Sequence, residues 1–311
     1  MNQTRFLAIG ECMLEISEVS APDYRLGFAG DTLNTAWYAR AMLPEDWQIS
    51  YFTRVGIDPY SQKMLQFLQV NGIDTSFIST DPVRQPGLYF INIKDGERTF
   101  TYWRDNSAAR GLADDPAQLD QAIEGARVVY MSGITLAILA PDRRDTLLKA
   151  LAKARAAGVV TVFDPNIRMK LWPDADTARR EIMRAAAVCT IALPSFEDEA
   201  DLFGDASLAD CALRYQKAGC DIVVVKNGGG EILARQPHHD DVSMKPEKLA
   251  PVDTTGAGDS FNAGFLAAFS QGQALDQAIR YGHALSSHVI MHKGALLPMT
   301  ILADIKTRLS A

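Results

Sequence analysis

Short apolar runs alternate with amphipathic helical stretches along most of this chain, and that alternation restricts the fold more than any other feature. Five runs have the length and apolar content of buried strands: Phe6 to Ile9, Val128 to Ser132, Val159 to Asp164, Val188 to Leu193 and Ile222 to Lys226. Helical patterns lie between them: Arg143 to Ala157, Thr177 to Ala187, and Leu208 to Ala218, which is followed by Gly219. Because strands connected through helices pair in parallel, the pattern predicts an α/β fold with a parallel sheet flanked by helices.

Two regions depart from this alternation. Residues of about 11–27 and about 86–104 alternate polar and apolar side chains, as exposed strands do, and residues 94–97 between two such strands have the composition of a hairpin turn. We expect a small antiparallel sheet that acts as a lid. No repeat or linker divides the chain, so we expect a single domain over residues 1–311 with these two lid insertions.

Composition excludes several classes of function. The 311 residues are 47% hydrophobic and 22% charged, as in soluble globular proteins, and a net charge of -7 argues against a general nucleic-acid or membrane-surface role. No apolar run approaches the roughly 18 residues that span a bilayer, and no signal-peptide pattern precedes the first strand. Scattered single cysteines fit buried, reduced thiols: Cys12, Cys189, Cys211 and Cys220. We therefore expect a cytoplasmic protein.

The segment from Pro251 to Gly264, PVDTTGAGDSFNAG, carries the strongest chemical signal. It places a Gly-Ala-Gly turn directly before Asp259, at the start of an apolar, helix-like run from Phe261 to Phe269. Glycines let the backbone approach a ligand, and the free N–H groups of a helix N-terminus attract anions. A carboxylate beside such a cradle suits a base that takes a proton from a hydroxyl about to attack a phosphoryl group. The alternative is that Asp259 merely caps the helix.

The run from Asp253 to Gly264 closely resembles the C-terminal signature of the ribokinase-like (PfkB) family of sugar kinases. The resemblance implies that Asp259 is the catalytic base. It also implies that the backbone amides of Gly256, Ala257 and Gly258 form the anion hole for the γ-phosphate of ATP, so that both glycines bind nucleotide. The fold it implies is the ribokinase-like three-layer α/β/α architecture, with a mostly parallel central sheet and a small antiparallel β lid that closes over the sugar.

A second segment, GFAGDTLNTA from Gly27 to Ala36, resembles the N-terminal signature of the same family. The resemblance implies that Gly30, Asp31 and Asn34 contact sugar hydroxyls. Carboxylate and amide groups suit vicinal hydroxyls, and glycine lets a sugar ring come close. A β-turn followed by a helix N-cap would explain these residues without a ligand.

Four further segments concern the acceptor. They are Gly10 to Glu15, Pro86 to Tyr89, Glu97 to Arg104, and Phe163 to Arg168, and together they closely resemble 2-keto-3-deoxygluconate kinases, a branch of this family. The likeness assigns four residues to the substrate pocket: Tyr89, Tyr102, Arg104 and Arg168. It implies phosphorylation of 2-dehydro-3-deoxy-D-gluconate (the same keto acid) at its 6-hydroxyl by ATP. Physical chemistry agrees, because planar guanidinium groups are the best carboxylate binders.

These assignments have alternatives. Arg168 could simply pair with Asp164 or Asp174, Arg104 could be a solvated lid residue, and the two tyrosines could pack on each other across the hairpin. The chain could instead phosphorylate a neutral ketose such as fructose. A sugar-binding sensor without catalysis is a further alternative, which the intact Asp259 and glycine cradle disfavour.

The nucleotide must bind without a P-loop, because the sequence has no G-x-x-x-x-G-K-[ST] motif. The segment from Val223 to Glu231 resembles the family's strand-to-glycine turn near the nucleotide, which makes Lys226 and Gly228 candidates. A glycine-rich β-hairpin turn is the alternative. We expect this turn to lie close to the cradle that precedes Asp259.

Transfer of a γ-phosphoryl group normally requires Mg²⁺. The family usually has an Asn-x-x-Glu near the metal waters, but here Ser195 replaces the asparagine, and Asp198 or Glu199 is the candidate acid. Asp253 and Thr255 match positions that face a potassium site in some relatives, which would make K⁺ an activator. We expect ATP and an acidic keto sugar as ligands, no nucleic-acid partner, and a homo-oligomer formed through the open edge of the lid sheet.

Overall fold

The computed structural model describes residues 4–20, 22–94 and 97–310. The strands in these ranges are β1 (Thr4–Ile9), β2 (Met13–Ser20), β3 (Asp23–Ala29), β4 (Trp47–Phe52), β5 (Arg54–Val55), β6 (Ile73–Asp74), β7 (Ser79–Thr80), β8 (Leu88–Lys94), β9 (Glu97–Trp103), β10 (Ala126–Ser132), β11 (Val160–Asp164), β12 (Ile191–Ala192), β13 (Ile222–Val225), β14 (Ile232–Arg235) and β15 (Val242–Met244). The α-helices are α1 (Asp31–Met42), α2 (Pro59–Val70), α3 (Pro116–Ile123), α4 (Gly133–Ile138), α5 (Pro141–Ala156), α6 (Ala175–Val188), α7 (Phe196–Phe203), α8 (Leu208–Ala218), α9 (Ala257–Ser270), α10 (Leu275–Val289) and α11 (Met299–Ser310).

The main sheet is mostly parallel, as the alternation of strands and helices predicts. Across the described ranges its strand order is β15-β14-β13-β12-β11-β10-β1-β4-β6. All neighbours from β13 to β6 pair in parallel, whereas β14 and β15 add an antiparallel edge. The order reverses at β1, which has β10 on one side and β4 on the other. A crevice opens at the carboxyl ends of strands at such a switch point, where α/β folds bind ligands.

Helices cover both faces of this sheet and bury two apolar cores. Successive residues of β1 point to opposite faces, so that Phe6 and Ala8 join one core while Leu7 and Ile9 join the other. The first core is closed by α1, α9, α10 and α11, and the second by α3, α5, α6 and α8. The three-layer arrangement is therefore confirmed. All four cysteines are buried and free, as predicted, and no helix of the described ranges is both long and apolar enough to cross a membrane.

One predicted strand was wrong over much of its length. The apolar run from Val188 to Leu193 contains the last residue of α6, a short connection and only two residues of β12. Val188 and Ala192 both contact the second core. The run is apolar because two consecutive elements pack on the same core, and period alone does not separate a helix end from a strand start.

The lid sheet has the strand order β3-β2-β8-β9 among the described residues. The predicted small antiparallel sheet is present as two antiparallel hairpins, which are joined by a parallel pairing of residues 14–17 with residues 88–91. The predicted turn at residues 94–97 connects β8 and β9, whose ends pair at Lys94 and Glu97. Residues 95 and 96 of that turn lie outside the described residues.

The glycine-rich segment after β13 is a hairpin turn, which was one of its two interpretations. β13 and β14 pair antiparallel through Val223 to Val225, and the connecting turn contains Gly228 at φ 51°. The left-handed backbone there favours glycine. Four strands of the main sheet were not predicted: β4, β6, β14 and β15. Of these, β6, β14 and β15 have only two to four residues, a length at which periodicity is least informative.

Candidate active site

The predicted site residues converge at the carboxyl ends of the parallel strands, beneath the lid. Asp164 ends β11 and Lys226 follows β13, while Asp31 and Asp259 lie in the first turns of α1 and α9. Residues from both ends of the chain therefore line one crevice, at the place where this topology positions ligands.

The N-terminus of α9 has the backbone of an anion cradle. Gly256 adopts φ 77°, and a Cβ there would lie 2.8 Å from the carbonyl oxygen of Ala295, so glycine is required twice over. The amide of Ala257 donates to the Thr254 carbonyl at 3.2 Å. In the described part of the chain, the N–H groups of Gly256 and Gly258 have no acceptor. Two predicted anion-hole amides are thus available to a ligand, and the Ala257 amide would have to leave a long hydrogen bond.

Asp259 is a poorly solvated carboxyl group. Its Oδ2 accepts a hydrogen bond from Asn34 Nδ2 at 2.8 Å, which joins the two signature segments across 225 residues. Burial, together with the negative charges of Asp31 and Asp164, raises the pKa of Asp259 to about 8. Asn34 and Lys226 oppose this rise. A carboxyl group tuned towards neutral pH is typical of a general base.

The N-terminal signature shapes the adjacent wall. A Cβ on Gly30 would lie 2.3 Å from the Glu11 carbonyl oxygen, so any larger residue would push these segments apart. Asp31 accepts from the Thr32 amide at 2.8 Å and from Asn166 Nδ2 at 2.7 Å. The first contact joins neighbouring residues at the start of α1, where Gly30 is the N-cap and no side chain caps the helix. The second contact reaches across 135 residues, which a local turn does not require.

The two lid tyrosines have different environments. Tyr89 and Tyr102 are paired directly across the β8–β9 hairpin, with ring centroids 5.6 Å apart. Tyr89 is buried and its hydroxyl donates to Glu15, whereas Tyr102 is 50% exposed. Packing across the hairpin is therefore real, and of the two only Tyr102 presents much of its ring to the solvent side.

The two predicted substrate arginines, Arg104 and Arg168, also differ in exposure and in their partners. Arg104 is not a solvated lid residue: its side chain is 6% exposed and its guanidinium donates to the buried Glu11 carboxylate. Arg168 is 54% exposed, and it lies 3.6 Å from Asp198, not against either of the partners considered from the sequence. The charges of both arginines act on the Tyr102 hydroxyl. The two cations thus approach the same part of the lid, but the charge of Arg104 is already offset.

On the nucleotide side, Lys226 lies inside the protein. The residue is 7% exposed. Its ammonium donates to Asp164 at 3.1 Å and to Asn262 at 3.0 Å. Gly228 is exposed in the hairpin turn. The two candidates therefore differ in access: a nucleotide could contact Gly228 directly, whereas Lys226 lies behind the surface.

Of the two candidate metal-shell acids, only Asp198 faces the crevice. Glu199 is fully buried and accepts from Arg214 at 2.8 Å and from the Tyr215 hydroxyl at 2.8 Å. Glu199 also clusters with Asp205 and Cys211, but the Arg214 guanidinium already fills that group as its cation. Asp198 retains an exposed carboxylate beside Arg168, and burial raises its pKa.

The predicted potassium residues form a compact loop before α9. Asp253 accepts from the Thr255 amide at 3.1 Å and hydroxyl at 2.8 Å, and its second oxygen accepts from the Gly294 amide at 2.6 Å. These contacts order the chain that leads into the cradle. Potassium activation stays a prediction.

Sequence reasoning missed several residues that complete the crevice. Asn166 has φ 33°, which is uncommon outside glycine, and its side chain holds Asp31. Asn262 belongs to the C-terminal signature but was given no role, although it contacts both Asp164 and Lys226. The Asp-Pro-Asn sequence after a strand was a signal that could have identified Asp164 and Asn166, because turn-forming polar residues there face the ligand side.

Comparisons with known proteins agree with this geometry. Residues 3–302 match the family described as "pfkB family carbohydrate kinase". The chain is 38% identical over 301 residues to the 2-dehydro-3-deoxygluconokinase of Escherichia coli (strain K12), an alignment that covers 94% of this chain and 97% of that protein. It is 36% identical over 305 residues to the Haemophilus influenzae protein of the same name, covering 96% and 97%.

The fold also matches a solved structure. Aminoimidazole riboside kinase from Salmonella enterica, complexed with aminoimidazole riboside and an ATP analog, superposes with a TM-score of 0.83 at 22% identity, covering 99% of this chain and all of that one (100%). The fold predicted from the two signatures is therefore confirmed.

Proposed function

Because the chain belongs to the pfkB family of carbohydrate kinases, we propose that it transfers the γ-phosphoryl group of ATP to the 6-hydroxyl of 2-dehydro-3-deoxy-D-gluconate. The family assignment makes it a carbohydrate kinase, and the two relatives of 36–38% identity carry that substrate's name. One observation carries the reaction type: the poorly solvated Asp259 lies directly beside the free amides of the α9 N-terminus.

In the proposed reaction, Asp259 acts as the general base. The acceptor oxygen attacks the γ-phosphorus while its proton passes to the Asp259 carboxylate, and the bond between that phosphorus and the β,γ-bridging oxygen breaks to release ADP. Amides 256–258 stabilise the negative charge on the transferring group. The covering lid excludes water, which would otherwise accept the phosphoryl group.

The donor set fits a magnesium ion carried in with ATP. Hard carboxylate oxygens suit Mg²⁺, which usually keeps several waters and binds few protein ligands. Asp198 is the residue that we propose to hold such waters, because Glu199 is committed to Arg214. When bound, Mg²⁺ neutralises charge on the phosphates.

Arg168 is the residue that we propose to bind the carboxylate of the keto acid. It is exposed towards the crevice, whereas Arg104 already shares its charge with Glu11. Tyr102 and the neutralised Arg104 would then bind the rest of the acceptor, beside Gly30, Asp31 and Asn34. The same contacts favour one alternative: because Arg104 is paired with Glu11 and Arg168 lies beside Asp198, a neutral ketose such as fructose is also accommodated.

The exposed face and edges of the lid support self-association. Two large side chains that pack on Phe90, on the face of the lid opposite Tyr89, are exposed: Tyr24 and Trp103. β3 and β9 end the lid sheet within the described residues, which leaves two open edges. We propose a homo-oligomer that covers this surface, in the cytoplasm, where ATP is supplied.

The decisive experiment measures ADP release by the purified protein with ATP and Mg²⁺, comparing the keto acid, fructose, ribose and no sugar. We expect stimulation by the keto acid alone. Stimulation by fructose instead would retain the kinase and remove the carboxylate role of Arg168, and no stimulation would favour a sensor. Asp259→Asn should abolish turnover and leave sugar binding largely intact, and retained turnover would contradict the base assignment.

A further inference from the structure

A buried set of three side chains lies behind the phosphoryl cradle. Asp164 Oδ2 accepts from Lys226 Nζ at 3.1 Å and from Asn262 Nδ2 at 2.6 Å, and Lys226 Nζ also donates to Asn262 Oδ1 at 3.0 Å. The exposed fraction of each residue is at most 7%. Each member therefore contacts the other two, and water does not screen the charges well.

The ammonium of Lys226 is aimed at the cradle from inside. A Cβ built on Gly258 would lie 3.7 Å from Lys226 Nζ, with no other group that near. An ammonium has three donors, and two are occupied by Asp164 and Asn262. The charge of Lys226 is thus fixed close to the backbone of Gly258 and cannot swing out without breaking both contacts.

Asp164 also connects this set to the acceptor side. Its Oδ1 accepts from the amide of Asn166 at 3.1 Å, and Asn166 Nδ2 donates to Asp31 at 2.7 Å. A single buried carboxylate therefore orients the cation behind the phosphate cradle and, through Asn166, the carboxylate on the sugar side.

Charged and titratable groups face Asp259 from several elements. From α1 come Asp31 and Tyr38, from β10 Tyr130, from the end of β11 Asp164, and from the segment after β13 Lys226. Burial raises the pKa of both tyrosines, so they stay neutral. Among these groups Lys226 is the cation that opposes the carboxylates around Asp259.

We propose that Asp164, Lys226 and Asn262 form a positioning triad that holds the Lys226 charge behind Gly258 and thereby sets how readily Asp259 releases its proton. Lys226 is then a positioning residue and does not itself contact the nucleotide. The inference rests on the proposed role of Asp259 as base.

The pH profile of kcat/KM separates this role from a merely structural one. Removing the cation, Lys226→Met, should move the ascending limb of the profile to higher pH by about one unit or more. At pH values below the limb, kcat/KM should then fall about tenfold. Removing the neighbouring anion, Asp164→Asn, should move the limb to lower pH. The double variant D164N/K226M removes both charges, leaves no unpaired buried ion, and should return the limb close to its wild-type position.

The outcomes distinguish the inference from the function on which it rests. Wild-type protein without kinase activity would refute the proposed function. Active variants whose limb stays in place, even with reduced kcat, would overturn the triad. If K226M does not fold, D164N and the double variant still give different predictions: a limb at lower pH and a limb near its wild-type position. A second measurement needs no substrate: the gain in unfolding free energy from Asp259→Asn should be larger in the D164N/K226M background than in D164N alone, and equal gains would overturn the inference.

Discussion

Replacing the proposed base by its neutral isostere should stabilise the protein while abolishing turnover. Asp259→Asn keeps the size of the side chain, and its amide oxygen can still accept the hydrogen bond from Asn34 Nδ2 that Asp259 now accepts at 2.8 Å. What the substitution removes is the negative charge, which burial and the carboxylates of Asp31 and Asp164 disfavour. The gain in stability is therefore electrostatic and depends on pH.

The size and sign follow from proton linkage. The pKa of Asp259 is about 8 in the folded protein, against 3.8 for an ordinary aspartate. The proton binds the folded chain more tightly, so the stability associated with this group is complete below pH 3.8 and is lost as pH rises to 8. At about 1.4 kcal/mol per pH unit, Asp259→Asn should gain about 2 kcal/mol at pH 5, about 4 kcal/mol at pH 7, and a limiting value above pH 8. These are upper values, because part of the side chain is solvated.

Urea unfolding of both proteins at pH 5, 6, 7 and 8 measures this gain. Asp276→Asn is the matched control, since Asp276 is an exposed aspartate that also lies in the first turn of a helix. Its substitution should change stability by less than about 1 kcal/mol and show no trend over this range. A difference between Asp259→Asn and wild type that is absent at pH 8, or constant from pH 5 to pH 8, would refute the reasoning.

Three further predictions test the crevice and the lid. Arg168→Ala should raise KM for the keto acid about ten- to a hundredfold through the loss of a charge-assisted hydrogen bond, with little change in kcat or in turnover of neutral sugars; an equal effect on fructose would exclude carboxylate binding. Gly256→Ala should destabilise the protein by at least about 1 kcal/mol and abolish turnover, because its φ is 77° and a Cβ would meet the Ala295 oxygen at 2.8 Å; thermal unfolding and ADP release measure both, and a stable, active variant would contradict the cradle geometry. Trp103→Lys should shift sedimentation towards the monomer, since Trp103 is 57% exposed on the lid; an unchanged oligomer would show that the interface lies elsewhere.

Patterns along the sequence predicted what is local, whereas individual contacts between distant segments were not predicted. The cradle and Asp259 are adjacent in sequence, so their geometry was readable from one helix start. The contact of Asn34 with Asp259 spans 225 residues, and that of Arg104 with Glu11 spans 93. No periodicity reports such pairings. From the sequence alone, an arginine in a polar lid strand is expected to be solvated. Arg104 is instead buried, and Glu11 neutralises its charge.

The same limit applies to Lys226. In the sequence it ends an apolar run before three glycines, which favours a surface turn beside a nucleotide. Its ammonium is instead inside, because Asp164 and Asn262 arrive from β11 and α9 to compensate the charge. Burying a lysine costs free energy unless its charge is paired and hydrogen-bonded. The topology of the sheet provides this compensation, because it brings Asp164 and Asn262 to Lys226.

A capping role does not explain why an aspartate stands at position 259. The N-cap of α9 is Gly256, and the Asp259 side chain bonds to Asn34 of another helix, not to an amide of its own helix end. In the first turn of a helix, the helix dipole stabilises a carboxylate by about 0.3 to 1 kcal/mol. Burial and neighbouring anions oppose ionisation by several kcal/mol, as the rise in pKa to about 8 requires. A neutral side chain would serve the helix better, so the carboxylate is retained against stability. Proton transfer from the acceptor hydroxyl is the role that needs it.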